Sequence, residues 1–349
     1  MPLKVIQWTT GNVGRRSLRA IVDHPDLDLV GVYAHGPDKV GRDAAELCGL
    51  DGDIGVRATD DIDQLIGLGA DACSYNPMWP DLDHLCRLLE AGVNVCSTAA
   101  FITGRNLAPG DRDRLAAAAE RGGSTMFGTG VNPGFANLFA LVSTQICDRV
   151  DAVRVTESVD STDYASKDTE ESVGYGMALD DPRLVTCTRE GTRVFEEAVA
   201  LIGDALGVEF DEVVFDVDYG AASADRDLGY MRIAEGSVSS IDGRWRGRAF
   251  GRDVVVAHFQ WLKGAREDAP FTIRHGYYVE VDGEPSVRSQ FQIRPGRGWS
   301  EPDYMGLGMI MTAMPAVNAI PAVVAAPPGI ATHATLPLVC ARGYVAGPF

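Results

Sequence analysis

Short apolar runs alternate with segments of helical periodicity along the first part of this chain. Before residue 135 six such runs occur, at 4–8, 27–34, 56–59, 72–75, 93–98 and 124–128. Segments with apolar residues at helical spacing separate most of them, at 13–22, 61–68, 81–91, 111–121 and 135–147. The run at 27–34 is apolar almost throughout, as expected of a parallel strand covered on both faces. Strands separated by helices join through crossovers, so this half predicts an α/β fold with a Rossmann-type, doubly wound parallel sheet.

After residue 148 the rhythm changes. The segment 151–159 alternates like a half-buried strand, 161–172 is polar and loop-like, and 189–206 is an amphipathic helix. Alternating runs follow at 208–219, 231–239, 244–262, 271–281 and 287–293, with Asp242-Gly243 and Asp282-Gly283 as hairpin-turn signals. This half predicts an α+β domain built on an antiparallel meander sheet. A closing helix at about 303–324 is expected to return to the first domain. The division expected is 1–148 for dinucleotide binding, 149–302 for substrate and dimerisation, and 303–349 as helix and tail.

Composition narrows the function classes. With 31 Lys+Arg against 49 Asp+Glu the chain carries −18, a field that repels nucleic acid and anionic lipid. No charge occurs from residue 304 to 332, long enough to cross a bilayer, but Pro315, Asn318, Pro321, Pro327 and Pro328 interrupt it. A buried helix and its exit loop are predicted there, in the core or at a subunit interface, and no membrane role. The seven cysteines show no Cys-x-x-Cys pair and no zinc-like spacing with histidine, so no metal site is expected. Several sit inside apolar runs, which suits reduced thiols and a cytoplasmic location. The first eight residues read as a strand and not as a signal peptide.

The turn Thr9-Thr10-Gly11-Asn12-Val13-Gly14 lies between the first strand and the first helix, with the spacing G-x-G-x-x-G and Thr9 at the first glycine. Gly11 would let backbone N–H groups approach a pyrophosphate, and Gly14 would let helix and strand pack closely. The alternative is a tight turn without a ligand. The second strand ends in Val32-Tyr33-Ala34-His35-Gly36, with no carboxylate for an adenine-ribose 2′-hydroxyl. Arg15, Arg16, His35, Lys39 and Arg42 lie close by in sequence, which favours NADP, with NAD as the alternative.

In such folds the ligand lies beyond the carboxyl ends of the strands. Those ends carry Asn76-Pro77, Thr98-Ala99 and Asn132-Pro133. Asn76, Thr98 and Asn132 are therefore candidates to hydrogen-bond the nicotinamide carboxamide or ribose, although Asn-Pro also starts ordinary turns. Trp79 and Phe101 would line a small apolar substrate site. Along 153–159, Glu157 shares one strand face with Val153, Val155 and Val159, and a carboxylate in an apolar row needs a partner or a role. Glu157 is the acid/base candidate, with an ion pair to an arginine as the structural alternative. Tyr164 is the second candidate, followed by Asp160 and His258. Cys96 stands near the end of the fifth strand as a conceivable thiol nucleophile, without an evident histidine partner.

Several segments together resemble a known group: Thr10-Gly11-Asn12-Val13-Gly14-Arg15, Lys39-Val40-Gly41-Arg42-Asp43-Ala44, Glu46-Leu47-Cys48-Gly49, Gly130-Val131-Asn132-Pro133-Gly134-Phe135 and Val317-Asn318-Ala319-Ile320-Pro321. The chain resembles the dihydrodipicolinate reductase-like family, in the branch of 2,4-diaminopentanoate dehydrogenase and native amine dehydrogenases. The resemblance implies a Rossmann domain, NAD(P)-dependent reduction of C=N or C=O, a substrate cleft between domains, and a homodimer. Two departures matter. The paired-His and Lys signature of the reductase itself is absent. The acidic residue that the amine dehydrogenases place after the fifth strand is replaced within Ser97-Thr98-Ala99-Ala100-Phe101 by alanine. The expectation is an oxidoreductase acting on a small carbonyl or imine/amine carbon. The alternative is a dinucleotide-binding sensor or structural protein without turnover.

Overall fold

The computed structural model of the chain describes residues 1–301 and 305–345. The first elements are β1 (Leu3–Trp8), α1 (Asn12–Asp23), β2 (Leu27–Tyr33), α2 (Ala44–Cys48), β3 (Ala58–Thr59) and α3 (Ile62–Ile66). Next come β4 (Ala72–Tyr75), α4 (Leu82–Glu90), β5 (Asn94–Ser97), α5 (Asp111–Gly122), β6 (Thr125–Gly128) and α6 (Ala136–Thr144). The middle of the chain forms β7 (Arg149–Asp160), α7 (Lys167–Ser172), α8 (Leu184–Gly191), α9 (Arg193–Leu206) and β8 (Glu212–Ala221). Then follow β9 (Arg226–Asp227), β10 (Arg232–Ile233), β11 (Val238–Ala249), β12 (Arg252–Leu262), β13 (Gly276–Glu284) and β14 (Val287–Phe291). The chain closes with α10 (Met305–Val324) and β15 (Gly329–Ala331). The closing helix was expected to begin at Asp303, which lies outside the described residues, as does the domain boundary expected after residue 302.

The chain divides into two compact units: Met1–Phe135 joined by the chain from Gly308 onward, and Ala136–Leu307. In the first unit seven strands form one sheet in the order β15-β6-β5-β4-β1-β2-β3, every neighbouring pair parallel. The doubly wound expectation holds, and β15 adds a seventh strand beside β6. Strand alternation feeds two cores. Val5, Ala72, Cys96 and Phe127 pack with Leu18 and Ile21 of α1 and with Val317, Ile320 and Val323 of α10. Ile6, Cys73, Val95 and Met126 point the other way, onto Leu65, Leu85, Leu88 and Leu115 of α3, α4 and α5. Each such fully buried aliphatic side chain contributes about 1.5–3 kcal/mol. The helices start where expected of their sequences: Asp61 accepts from the N–H groups of Asp63 and Gln64, and Asp81 from that of His84. Helix α10 is long and apolar enough to cross a membrane, and its buried residues belong to the core of this unit.

The second unit holds a six-stranded sheet in the order β14-β13-β7-β12-β11-β8. The expected antiparallel meander sheet forms as β8-β11-β12 and β13-β14, and β7 enters between these two parts, parallel to β12 and antiparallel to β13. Pairing over about a hundred residues of sequence has no local signature, which is why alternation alone suggested consecutive hairpins. Helix α6, expected with the first domain, packs on β7 and β13 instead. Both Asp-Gly turns are also corrected. Asp242-Gly243 lies inside β11, where a side chain at Gly243 would meet the Phe259 ring at 2.2 Å. Asp282-Gly283 lies inside β13 at a register shift, with Gly283 lying against the Arg149 carbonyl. The β11–β12 reversal runs through Phe250 and Gly251, both at positive φ.

Candidate dinucleotide-binding site

The turn between β1 and α1 is built around an unusual threonine. Thr9 takes φ 68°, the left-handed region that normally favours glycine. It thereby performs the backbone role of the first glycine in the motif. At Gly14 a Cβ would stand 2.3 Å from the Thr9 carbonyl oxygen, so helix and loop can approach this closely only without a side chain there. At Gly11 a Cβ would meet nothing within 4 Å, so that side of the loop is open. Helix α1 begins at Asn12, with no side chain capping its first turn. Its first N–H groups are thus directed to whatever occupies the turn, and the helix dipole favours a negative group. The hydroxyls of Thr9 and Thr10 are buried and lack partners among the described residues. Open space, unclaimed donors and a favourable dipole fit a pyrophosphate.

The other expected first-unit residues gather at the carboxyl edge of the same sheet. Lys39, on the loop after β2, donates from Nζ to the Thr10 carbonyl at 3.3 Å and so sets a cation beside the turn. His35 is exposed at the tip of β2. Arg42 is engaged with Glu46 at 2.6 Å. Asp38 reaches back towards Gly36, so the tip is not free of carboxylates as the sequence suggested; a Cβ at Gly36 would stand 2.6 Å from its Oδ1. Asn76 follows β4 and donates from Nδ2 to Thr98 Oγ1 at 2.9 Å. Ala99 donates its N–H to Ser97 Oγ at 3.1 Å, turning the chain after β5, and Pro77 is half-buried after β4. Asn132 lies in an irregular turn after β6 in which Gly134 takes φ 139° and lies against Thr129.

Two residues here, Gln7 and His333, are not among the candidates read from the sequence. Gln7, wholly buried on β1, donates to the carbonyls of Trp8 and Thr9 and to Asn76 Oδ1. Its place as the polar member of an apolar strand was the one available hint. His333, just past β15, bonds Thr129 Oγ1 at 2.8 Å and sets its ring edge-on to Phe127. Burial lowers its pKa to about 4, so it is neutral near pH 7. Cys96 is fully buried within β5 and its thiol is pushed far up by burial, which removes the reading of a thiol nucleophile.

The two acid/base candidates belong to the second unit. Glu157 lies on the expected face of β7, half-buried, and accepts from Trp261 Nε1 at 3.2 Å. Burial raises the phenols of Tyr164 and Tyr277, and the nearby Glu157 adds to both. Tyr164 is pushed up to about 12, first by burial and then by Glu170 and Glu157. Asp160 is exposed and accepts from the N–H and hydroxyl of Thr162. His258 is on the opposite face of the sheet from Glu157, bonded to Asp242 at 2.8 Å and to Thr156 at 3.3 Å. Next to Tyr164 stands a cluster without a local sequence signature: Lys263, wholly buried, reaches Glu170 Oε1 at 3.1 Å, the Ser161 and Tyr164 carbonyls and the Tyr230 hydroxyl. The rings of Tyr164, Tyr175 and Tyr230 surround the ammonium at 5.4–5.8 Å. Burial raises Glu170 to about 7, with Lys263 opposing that rise. Among the described residues no cluster of His, Cys, Asp or Glu could hold a metal ion.

A doubly wound parallel sheet with a glycine turn opening its first helix defines a Rossmann-type chain, and solved structures share the fold. An amine dehydrogenase from Mycobacterium smegmatis superposes with a TM-score of 0.80 at 21% identity, covering 98% of each chain. Residues 137–344 match the family described as 2,4-diaminopentanoate dehydrogenase C-terminal domain, and the chain belongs to that family. An amine dehydrogenase from Streptomyces virginiae is 36% identical over 220 residues, 60% of this chain and 61% of that protein. The 2,4-diaminopentanoate dehydrogenase of Acetoanaerobium sticklandii is 26% identical over 244 residues, 65% of this chain and 60% of that protein. The matches thus take in about three-fifths of each relative's length.

Proposed function

We propose that the chain is a NAD(P)-dependent oxidoreductase acting on a small carbonyl or imine/amine carbon. The observation that carries this reading is the turn from Thr9 to Gly14, with its open side at Gly11 and two buried hydroxyls that lack partners among the described residues. The relationship to amine and diaminopentanoate dehydrogenases supports the substrate class. When bound, the nicotinamide supplies or accepts the hydride. The turn, with the first N–H groups of α1, holds the pyrophosphate, and Thr98 and Asn132 orient the nicotinamide end. Lys39, beside the Thr10 carbonyl, and Arg15, in the first turn of α1, add positive charge near the turn, and with His35 as a further hydrogen-bonding group at the tip of β2 they favour NADP over NAD. Glu157 is the group that holds or moves the substrate proton, with Tyr164 beside it.

We place the protein in the cytoplasm, in keeping with seven unpaired cysteines. We read it as a homodimer. The face of the second sheet opposite α6 and α9 carries Arg154, Arg244 and Arg246 interleaved with Asp216, Asp253 and Glu280 along a groove of about 800 Å³. Its charges balance in a chain of −18, so two copies meet there with least repulsion.

The test is titration with NADPH and NADH, followed by turnover on a panel of small ketones with and without ammonium. Tight NADPH binding with ketone- or ammonium-dependent oxidation is expected, and Lys39→Ala should weaken NADPH more than NADH. Binding without turnover on any carbonyl or imine would favour the sensor reading, and no binding would overturn both.

A further inference from the structure

An amide side chain fits its site in two orientations related by a half-turn, and its hydrogen bonds decide between them. At Gln7 the main chain decides. Nε2 lies 2.9 Å from the Thr9 carbonyl and 3.2 Å from the Trp8 carbonyl, groups that can only accept. The turned amide would set its oxygen against both. The same nitrogen lies 2.7 Å from Asn76 Oδ1, to which the Ser74 hydroxyl also donates at 3.1 Å. Asn76 must therefore present its oxygen inward and its NH2 to Thr98, at 2.9 Å. Gln7 and Ser74 are completely buried and Asn76 nearly so, so water does not compete for these bonds.

The direction passes unbroken from two backbone carbonyls to the hydroxyl of Thr98. That oxygen accepts from Asn76, so its proton is directed away from the core. Among the described residues no acceptor receives it. We infer that Thr98 is held with its hydroxyl proton free to donate at the carboxyl edge of β5, presented to an acceptor oxygen of the ligand, and that Gln7 is the positioning residue that sets this polarity. The oxygen is a ribose hydroxyl or carboxamide of the dinucleotide, or the carbonyl of the substrate. This rests on the dinucleotide reading above. It also means that Asn76 cannot accept a hydrogen bond from the ligand, because its oxygen is occupied.

The test compares Thr98→Val, Thr98→Ser and Asn76→Asp in the full chain, measuring the NADPH dissociation constant and the substrate KM. Thr98→Val keeps the shape and removes the donor, so one constant should weaken about 5- to 50-fold. A change in the NADPH constant assigns the acceptor to the dinucleotide; a change in KM alone assigns it to the substrate. Thr98→Ser should recover most of the loss. Asn76→Asp keeps the Thr98 hydroxyl but draws its proton inward to the new carboxylate, so it should match Thr98→Val. The double variant should then lose nothing further. A merely structural role for the chain of hydrogen bonds would not produce that non-additivity. Thr98→Val with both constants within twofold of wild type, or Asn76→Asp with wild-type binding, overturns the inference. Wild-type protein that binds no nicotinamide dinucleotide overturns the parent reading, and this one with it.

Discussion

Replacing Lys263 by methionine tests whether the cluster beside Tyr164 is held by charge. The ammonium makes four short polar contacts inside three tyrosine rings, and its carboxylate partner Glu170 is also buried. Removing one member of a buried ion pair costs about 3–5 kcal/mol, because the other charge is left uncompensated. Here Glu170 can relieve that charge by taking a proton, so the loss should depend on pH. In the wild type Glu170 titrates near 7, above its unfolded value, so its contribution to stability falls as pH rises from about 4.5 to 7 and is then level. Without Lys263 the carboxyl is pushed higher still, and stability keeps falling above pH 7 by about 1.4 kcal/mol per pH unit. The deficit of Lys263→Met should therefore be about 3 kcal/mol at pH 6.5 and about 5 kcal/mol at pH 8.5. Urea melts followed by tryptophan fluorescence at the two pH values measure it directly. In thermal melts the equivalent shift is roughly 6–20 °C for a unit of this size. Adding Glu170→Gln should abolish the pH slope. A deficit below about 1 kcal/mol, or one equal at both pH values within about 0.5 kcal/mol, would refute the charge argument.

Three further outcomes are expected. Gly14→Ala places a methyl 2.3 Å from the Thr9 carbonyl oxygen and should weaken NADPH binding at least ~10-fold while destabilising by about 1–3 kcal/mol; unchanged fluorescence titration would contradict the phosphate-turn assignment. Glu157→Gln should lower turnover about 100-fold with little change in cofactor affinity, and a loss under about threefold would remove Glu157 from proton transfer. His333 is held neutral well below its unfolded pKa, so the folded state loses stability as pH falls from about 6.5 towards 4. His333→Gln should melt less steeply with acid than the wild type over that window, and parallel melting curves would contradict the burial of a neutral imidazole.

What could be read in advance was local. The βα alternation, the turn from Thr9 to Gly14 and the inward face of Val153, Val155 and Glu157 are all properties of neighbouring residues, and they reappear in the fold. Pairings over long stretches could not be read. Nothing near β7 marks β12 as its parallel neighbour, and nothing at Gly329 marks it as strand. Asp242-Gly243 carries the composition of a turn, yet its glycine makes room for Phe259, a residue on another strand. Gln7, Glu170 and Lys263 were missed for the same reason: each is one polar residue in an unremarkable segment, and each acquires meaning only from partners brought there by the fold. Thr9 shows the converse. Its neighbours identified the motif although the residue itself departs from it.

The edge strand β15 bears on how the protein is made. Thr125 of β6 bonds the Pro327 carbonyl, 202 residues later in the chain, and Gly329 to Ala331 pair beside it. During synthesis β6 emerges well before β15, so one border of the sheet stays unpaired until residues 329–331 leave the ribosome. The aliphatic side chains that α10 later covers stay bare for the same interval. The intervening unit is a single continuous segment and can complete itself earlier. The nascent chain thus carries an open sheet border and exposed apolar surface while the 202 residues from Thr125 to Pro327 are made. These are the features that invite chaperones or misassembly, so a premature stop before α10 should yield aggregates and not a smaller functional protein.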